Sequence, residues 1–80
     1  MKARIHITLK PGVHDPQGRA IGNALAALGF AGVNDVRQGK YLEIEIGETD
    51  RKTASAMAEE MCTKLLANPV IENYTVELED

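Results

Sequence analysis

Hydrophobic and polar positions alternate cleanly from Ala3 to Lys10. Ala3, Ile5, Ile7 and Leu9 share one face, and Arg4, His6, Thr8 and Lys10 share the other. A period of two predicts a half-buried strand. Pro11-Gly12 ends it, because proline lacks the ladder donor and glycine accepts unusual dihedrals. Asp15 then reads as a helix N-cap, with Pro16 at the first helical position. Ala20, Ile21, Ala24, Leu25 and Leu28 form one apolar stripe, and Gly29 suits a left-handed C-terminal cap. Gly18 and Gly22 lie inside this helix, which predicts close packing there against the sheet rather than close approach of a partner.

Val33–Gln38 and Tyr41–Ile46 read as two further strands joined by a hairpin-type turn at Gln38-Gly39-Lys40. Leu42, Ile44 and Ile46 face inward. Thr49 or Asp50 caps a second helix, whose stripe is Ala54, Met57, Ala58, Met61, Cys62, Leu65 and Leu66. Asn68-Pro69 stops it, with Asn68 able to take the left-handed cap. Val70–Leu78 is the last strand, with Tyr74, Val76 and Leu78 inward. The order β-α-β-β-α-β predicts an α+β, ferredoxin-like fold: a four-stranded antiparallel sheet with two helices on one face. Residues 1–80 are expected to form a single domain.

Eighty residues leave a thin core. One cysteine and two scattered histidines supply neither a disulfide nor a metal framework. Self-association or docking on a larger partner is the remaining source of buried area. The formal charge is −3, and the aromatics are only Phe30, Tyr41 and Tyr74. A basic surface with stacking aromatics is therefore absent, which argues against nucleic-acid binding. Apolar runs fall far short of the ~20 residues needed to span a bilayer. Met1-Lys2-Ala3-Arg4 leads directly into the first strand without an apolar signal core, so a cytoplasmic location is expected.

The residues hold no catalytic constellation. His6 and His14 lack surrounding motifs, and Cys62 sits in an apolar stripe as a small core residue. Glu43 with Glu45, and Glu59 with Glu60, read as exposed solubility and ion-pair residues. The Gly12–Gly18 loop could receive an anion at the helix start, but the Asp15 carboxylate competes for the same donors. Arg37 and Lys40 read as exposed cations flanking a turn, whose replacement by alanine should hardly affect folding.

Several phrases together resemble the PurS family, the small subunit of phosphoribosylformylglycinamidine synthase. They are Thr8-Leu9-Lys10 with Gly12-Val13, Asp15-Pro16-Gln17-Gly18, Leu28-Gly29-Phe30, Val36-Arg37 with Gly39-Lys40, and Leu65-Leu66-Ala67-Asn68-Pro69-Val70-Ile71-Glu72. The resemblance spans essentially the whole chain. It implies a non-catalytic accessory subunit in purine biosynthesis that forms a homodimer or homotetramer. Such a subunit assembles the large synthetase subunit (PurL) with the glutaminase subunit (PurQ), so that ammonia passes between them. No cofactor is expected on this chain; ATP and magnesium belong to the large partner. The expected contact residues are Asp15, Gln17, Arg37, Lys40 and Asn68, with Asp15 and Asn68 also readable as helix caps. The alternative is an ACT-like domain that senses a small molecule.

Overall fold

The computed structural model describes residues 1–80. Its elements are β1 (Lys2–Leu9), α1 (Pro16–Ala27), β2 (Gly39–Glu45), α2 (Arg51–Met61), a π-helical turn (Cys62–Leu66) and β3 (Glu72–Glu79). The sheet is antiparallel with order β2-β1-β3, and Ile5 stands opposite both Leu42 and Val76. The alternation in β1 turns one of its faces to the core. Ala3, Ile5 and Ile7 are buried, while His6 and Thr8 are exposed.

The expected fourth strand, Val33–Gln38, does not form, and no hairpin turn occurs at Gln38-Gly39-Lys40. The reason is local. The two valines are three residues apart rather than two. Asn34 and Asp35 between them favour turns over pleated chain. Two backbone donors of the segment are taken by carboxylates: Val36 N–H by Asp35 Oδ1 at 3.0 Å and Gln38 N–H by Asp15 Oδ2 at 2.8 Å. Gly39 instead opens β2 directly beside Thr8, where a Cβ would come within 2.5 Å of the Ile7 carbonyl oxygen.

The core lies between the sheet and α2. Ala54, Ala58 and Cys62 are fully buried at four-residue spacing. Their small side chains let the helix settle on Ala3, Ile5, Ile7 and Ile46, flanked by Ile44, Leu66, Tyr74 and Val76. Asp50 caps α2 through Thr53 N–H, settling the choice between Thr49 and Asp50. The helix does not run on as α-helix to Leu66. A wide turn closes with Ala67 N–H on the Cys62 carbonyl at 2.9 Å, and it rotates Leu65 outward to 82% exposure while burying Ala67. Asn68 is not a left-handed cap, since no non-glycine residue has positive φ. Its side chain accepts from Val70 N–H in a short Asx turn.

The other helix of the expected pair behaves differently. α1 is capped by Asp15 and ends in a Schellman arrangement, with Gly29 at φ +94° and Phe30 N–H on the Leu25 carbonyl. Yet α1 makes no substantial packing contact with any strand or with α2. Only one of its residues, Gly18, is buried. The two helices therefore do not cover one sheet face together. α1 and the return segment 28–38 project as an arm.

Candidate functional site

The five residues expected to make contacts converge on the end of the sheet from which the arm leaves. Asp15 is 7% exposed. Its two oxygens serve two segments: Oδ1 accepts from Gly18 N–H and Oδ2 from Gln38 N–H, both at 2.8 Å. These donors, Gly18 first, hold the Asp15 carboxyl below its ordinary range, aided by Arg37 and His14 nearby. Gln17 meets Gln38 directly, side chain to side chain, at 2.6 Å.

Arg37 is not the free cation expected from the sequence. Its Nη2 donates to the carbonyls of Val13 at 3.0 Å and Lys10 at 3.3 Å, tying the returning chain to the outgoing loop. That loop turns through Pro11-Gly12 with Gly12 at φ +86°, the geometry of a type II turn. Lys40 pairs with Glu72 at 3.5 Å, and the other Glu72 oxygen accepts from Asn68 N–H at 2.7 Å. Lys40 and Asn68 are thus joined through Glu72. Gln38 and Glu72 belong to the site although sequence reasoning does not single them out. The four-residue spacing from Asn68 to Glu72 is the one signal in the sequence that points to the second of them.

A groove of about 340 Å³ runs between Pro16 and Gln17 on one side and Gly39, Lys40 and Glu72 on the other. A second, of about 400 Å³, separates α1 from residues 33–37; it carries Arg19 and Arg37 beside Asp15 and Asp35, so its charges largely cancel. Elsewhere, burial raises the Cys62 thiol above its usual range, with the Glu59 charge adding to the effect. Tyr74 donates its hydroxyl to Glu59 at 2.6 Å, which raises the phenol. On the open sheet face His6 lies against Tyr41 with ring centroids 4.8 Å apart, and Tyr41 donates to Glu43 at 2.8 Å. No three His, Cys, Asp or Glu side chains are grouped to hold a metal ion. No helix is long and apolar enough to cross a membrane. What the clustered end offers is a surface of fixed polar groups suited to contact, with no nucleophile beside a base.

An α+β chain built this way belongs with subunits that act by association. Residues 2–80 match the family model "PurS: Phosphoribosylformylglycinamidine (FGAM) synthase". The chain is 49% identical over 75 residues to the PurS subunit of Synechocystis sp., covering 94% of this chain and 75% of that protein. It is 46% identical over 79 residues to the Bacillus subtilis PurS subunit, covering 99% and 93%. The crystal structure of Methanocaldococcus jannaschii PurS superposes with a TM-score of 0.87 at 45% identity, over 98% of this chain and 94% of that one. A chain of the structure of PurLQS from Thermotoga maritima matches with a TM-score of 0.86 at 30% identity, over 95% and 93%. The chain belongs to the PurS family and is a subunit of phosphoribosylformylglycinamidine synthase.

Proposed function

We propose that this chain is the non-catalytic small subunit that holds the large synthetase subunit (PurL) and the glutaminase subunit (PurQ) together. In that role ammonia released from glutamine is used to convert formylglycinamide ribonucleotide to formylglycinamidine ribonucleotide. ATP and magnesium act on the large subunit, and this chain carries no cofactor. The chain acts in the cytoplasm. The chain works as a homodimer or homotetramer, and its contacts with the other subunits fall on the end marked by Asp15, Gln17, Arg37, Lys40 and Asn68.

The observation that carries this reading is uncovered surface. A folded monomer of 8.7 kDa exposes about 4,700 Å², whereas this chain exposes 5650 Å². The excess is of the order of the ~800 Å² that each partner buries in a standard interface. The shape agrees. The radius of gyration is 16.0 Å, against about 12 Å for a compact chain of this length. The apolar residues of the arm and of the β3 approach, Ile21, Leu28, Phe30, Val33, Leu65 and Val70, are all exposed. A second copy supplies the missing cover, and the polar end remains for the two larger subunits.

The test is reconstitution. Large subunit and glutaminase from the same source are mixed with substrates, and glutamine-dependent product formation is followed with and without this chain. Activity that requires the chain supports the proposal. Equal activity in its absence overturns it, and binding of an amino acid or nucleotide by the isolated chain would then favour the ACT-like alternative.

A further inference from the structure

The arm is joined to the sheet by two stretches of chain that run side by side, residues 10–15 leaving and residues 37–39 returning. Since α1 makes no substantial packing contact with any strand or with α2, apolar burial against them does not fix the arm's direction. Polar bonds at its root do. Arg37 Nη2 reaches from the returning chain to the Val13 and Lys10 carbonyls of the leaving chain. Asp15 reaches the other way, from the leaving chain to Gln38 N–H, while it also caps α1 through Gly18 N–H. One residue thus orients the helix axis and the return segment together.

We infer that Arg37 and Asp15 act as positioning residues, a reciprocal clamp that sets the angle at which the α1 arm leaves the sheet and thereby permits assembly. The chemistry suits the task. Both bonds leave from one guanidinium nitrogen, Nη2, held in place by the planar group. A lysine ammonium has donors enough for two carbonyls but ends one bond nearer the backbone and does not reach the same point. A carboxylate offers two acceptors to two amides, which the neutral amide of asparagine cannot do. The assembly half of the inference rests on the self-association proposed above; the orientation half does not.

The experiment separates the two halves. One chain, labelled at Ala27→Cys on the arm and Asp80→Cys beyond β3, is mixed with excess unlabelled protein, and the label-to-label distance is read by single-molecule energy transfer. Cys62 is fully buried and stays unlabelled in the folded chain. Self-association is measured in parallel by sedimentation, with helix content followed by circular dichroism. The native chain should give one narrow distance. R37A should broaden it and weaken self-association at least tenfold at unchanged helix content. R37K should fall between, and D15N should broaden the distance as R37A does. A distance as narrow in R37A as in the native chain overturns the clamp. Should R37A fail to fold, a native-like narrow distance in R37K overturns it instead. A broadened distance with unchanged self-association sustains the clamp and overturns the arm as the self-association surface.

Discussion

Asp15 and Gln38 stand 23 residues apart in the chain, and the Gln38 backbone N–H donates to Asp15 Oδ2 at 2.8 Å. The other Asp15 oxygen is committed to Gly18 N–H. Both bonds favour the ionised carboxylate, so the group sits below its ordinary value of 3.8 in the folded chain. A depressed pKa stabilises the fold above the unfolded value, and that stabilisation is lost as pH falls through the folded value. D15N lacks it at every pH. The difference in urea midpoint between the native chain and D15N should therefore be constant above about pH 5 and close as the pH drops below ~4, the unfolded range of aspartate. A gap that persists undiminished at pH 2 contradicts the two-bond account.

Gly18 and Gly22 share one face of α1, yet alanine should affect them oppositely. A Cβ on Gly18 would come 2.3 Å from the Val36 carbonyl oxygen, a backbone atom that cannot step aside. A Cβ on Gly22 meets only the Val36 side chain at 3.5 Å, an ordinary contact. G18A should destabilise by about 1–3 kcal/mol through overpacking. G22A should gain up to ~1 kcal/mol from helix propensity. Paired thermal melts decide it, and equal effects at the two sites would contradict this packing at the root of α1.

The sequence marks best what local chemistry decides. Asp15-Pro16, Gly29 and Asp50 set helix ends at the expected places. The period of two from Ala3 to Lys10 produces the central strand. Other features depend on distant partners and leave no local pattern. The stripe of α1 announces an apolar face, but a stripe is the same whether the covering surface is this sheet or another copy. Val33–Gln38 looks extended until Asp15 takes one of its amides. Leu65 keeps helical spacing and still turns outward, because the wide turn at Cys62–Leu66 changes the residues per turn. Of the site, the five expected residues do share one end of the molecule; their connectors, Gln38 and Glu72, depend on tertiary geometry.

The seat of α2 depends on small residues, and this can be probed without touching the site. Ala58 is fully buried against Ala3 and Ile46. A58L inserts three carbons into a filled layer and should cost about 1–3 kcal/mol. Leu65, 82% exposed beyond the wide turn, belongs to the same sequence stripe. L65A should change the stability of the isolated chain by less than ~0.5 kcal/mol. Denaturant unfolding of the two variants gives the comparison. A larger loss in L65A than in A58L would mean that α2 continues regularly and buries a different face.

The far end of the arm tests self-association most directly. Leu28 is 74% exposed and Phe30 58%, and no charged residue lies between Leu25 and Val33. Both side chains stand mostly in solvent, so each adds little to the fold of its own chain. The C-terminal cap of α1 uses the Phe30 backbone, which substitution leaves in place. Burying a leucine or phenylalanine side chain at an interface contributes about 1.5–3 kcal/mol, and each 1.4 kcal/mol is about tenfold in affinity. Placing glutamate there adds the cost of desolvating a charge. L28E and F30E should therefore keep the native thermal midpoint at low protein concentration while self-associating at least tenfold more weakly in sedimentation. The same variants should fail to support glutamine-dependent synthesis in the reconstituted complex if the paired form is the one that bridges the larger subunits. Native-strength self-association in both variants would remove the arm from the interface and leave the excess surface to one of those subunits.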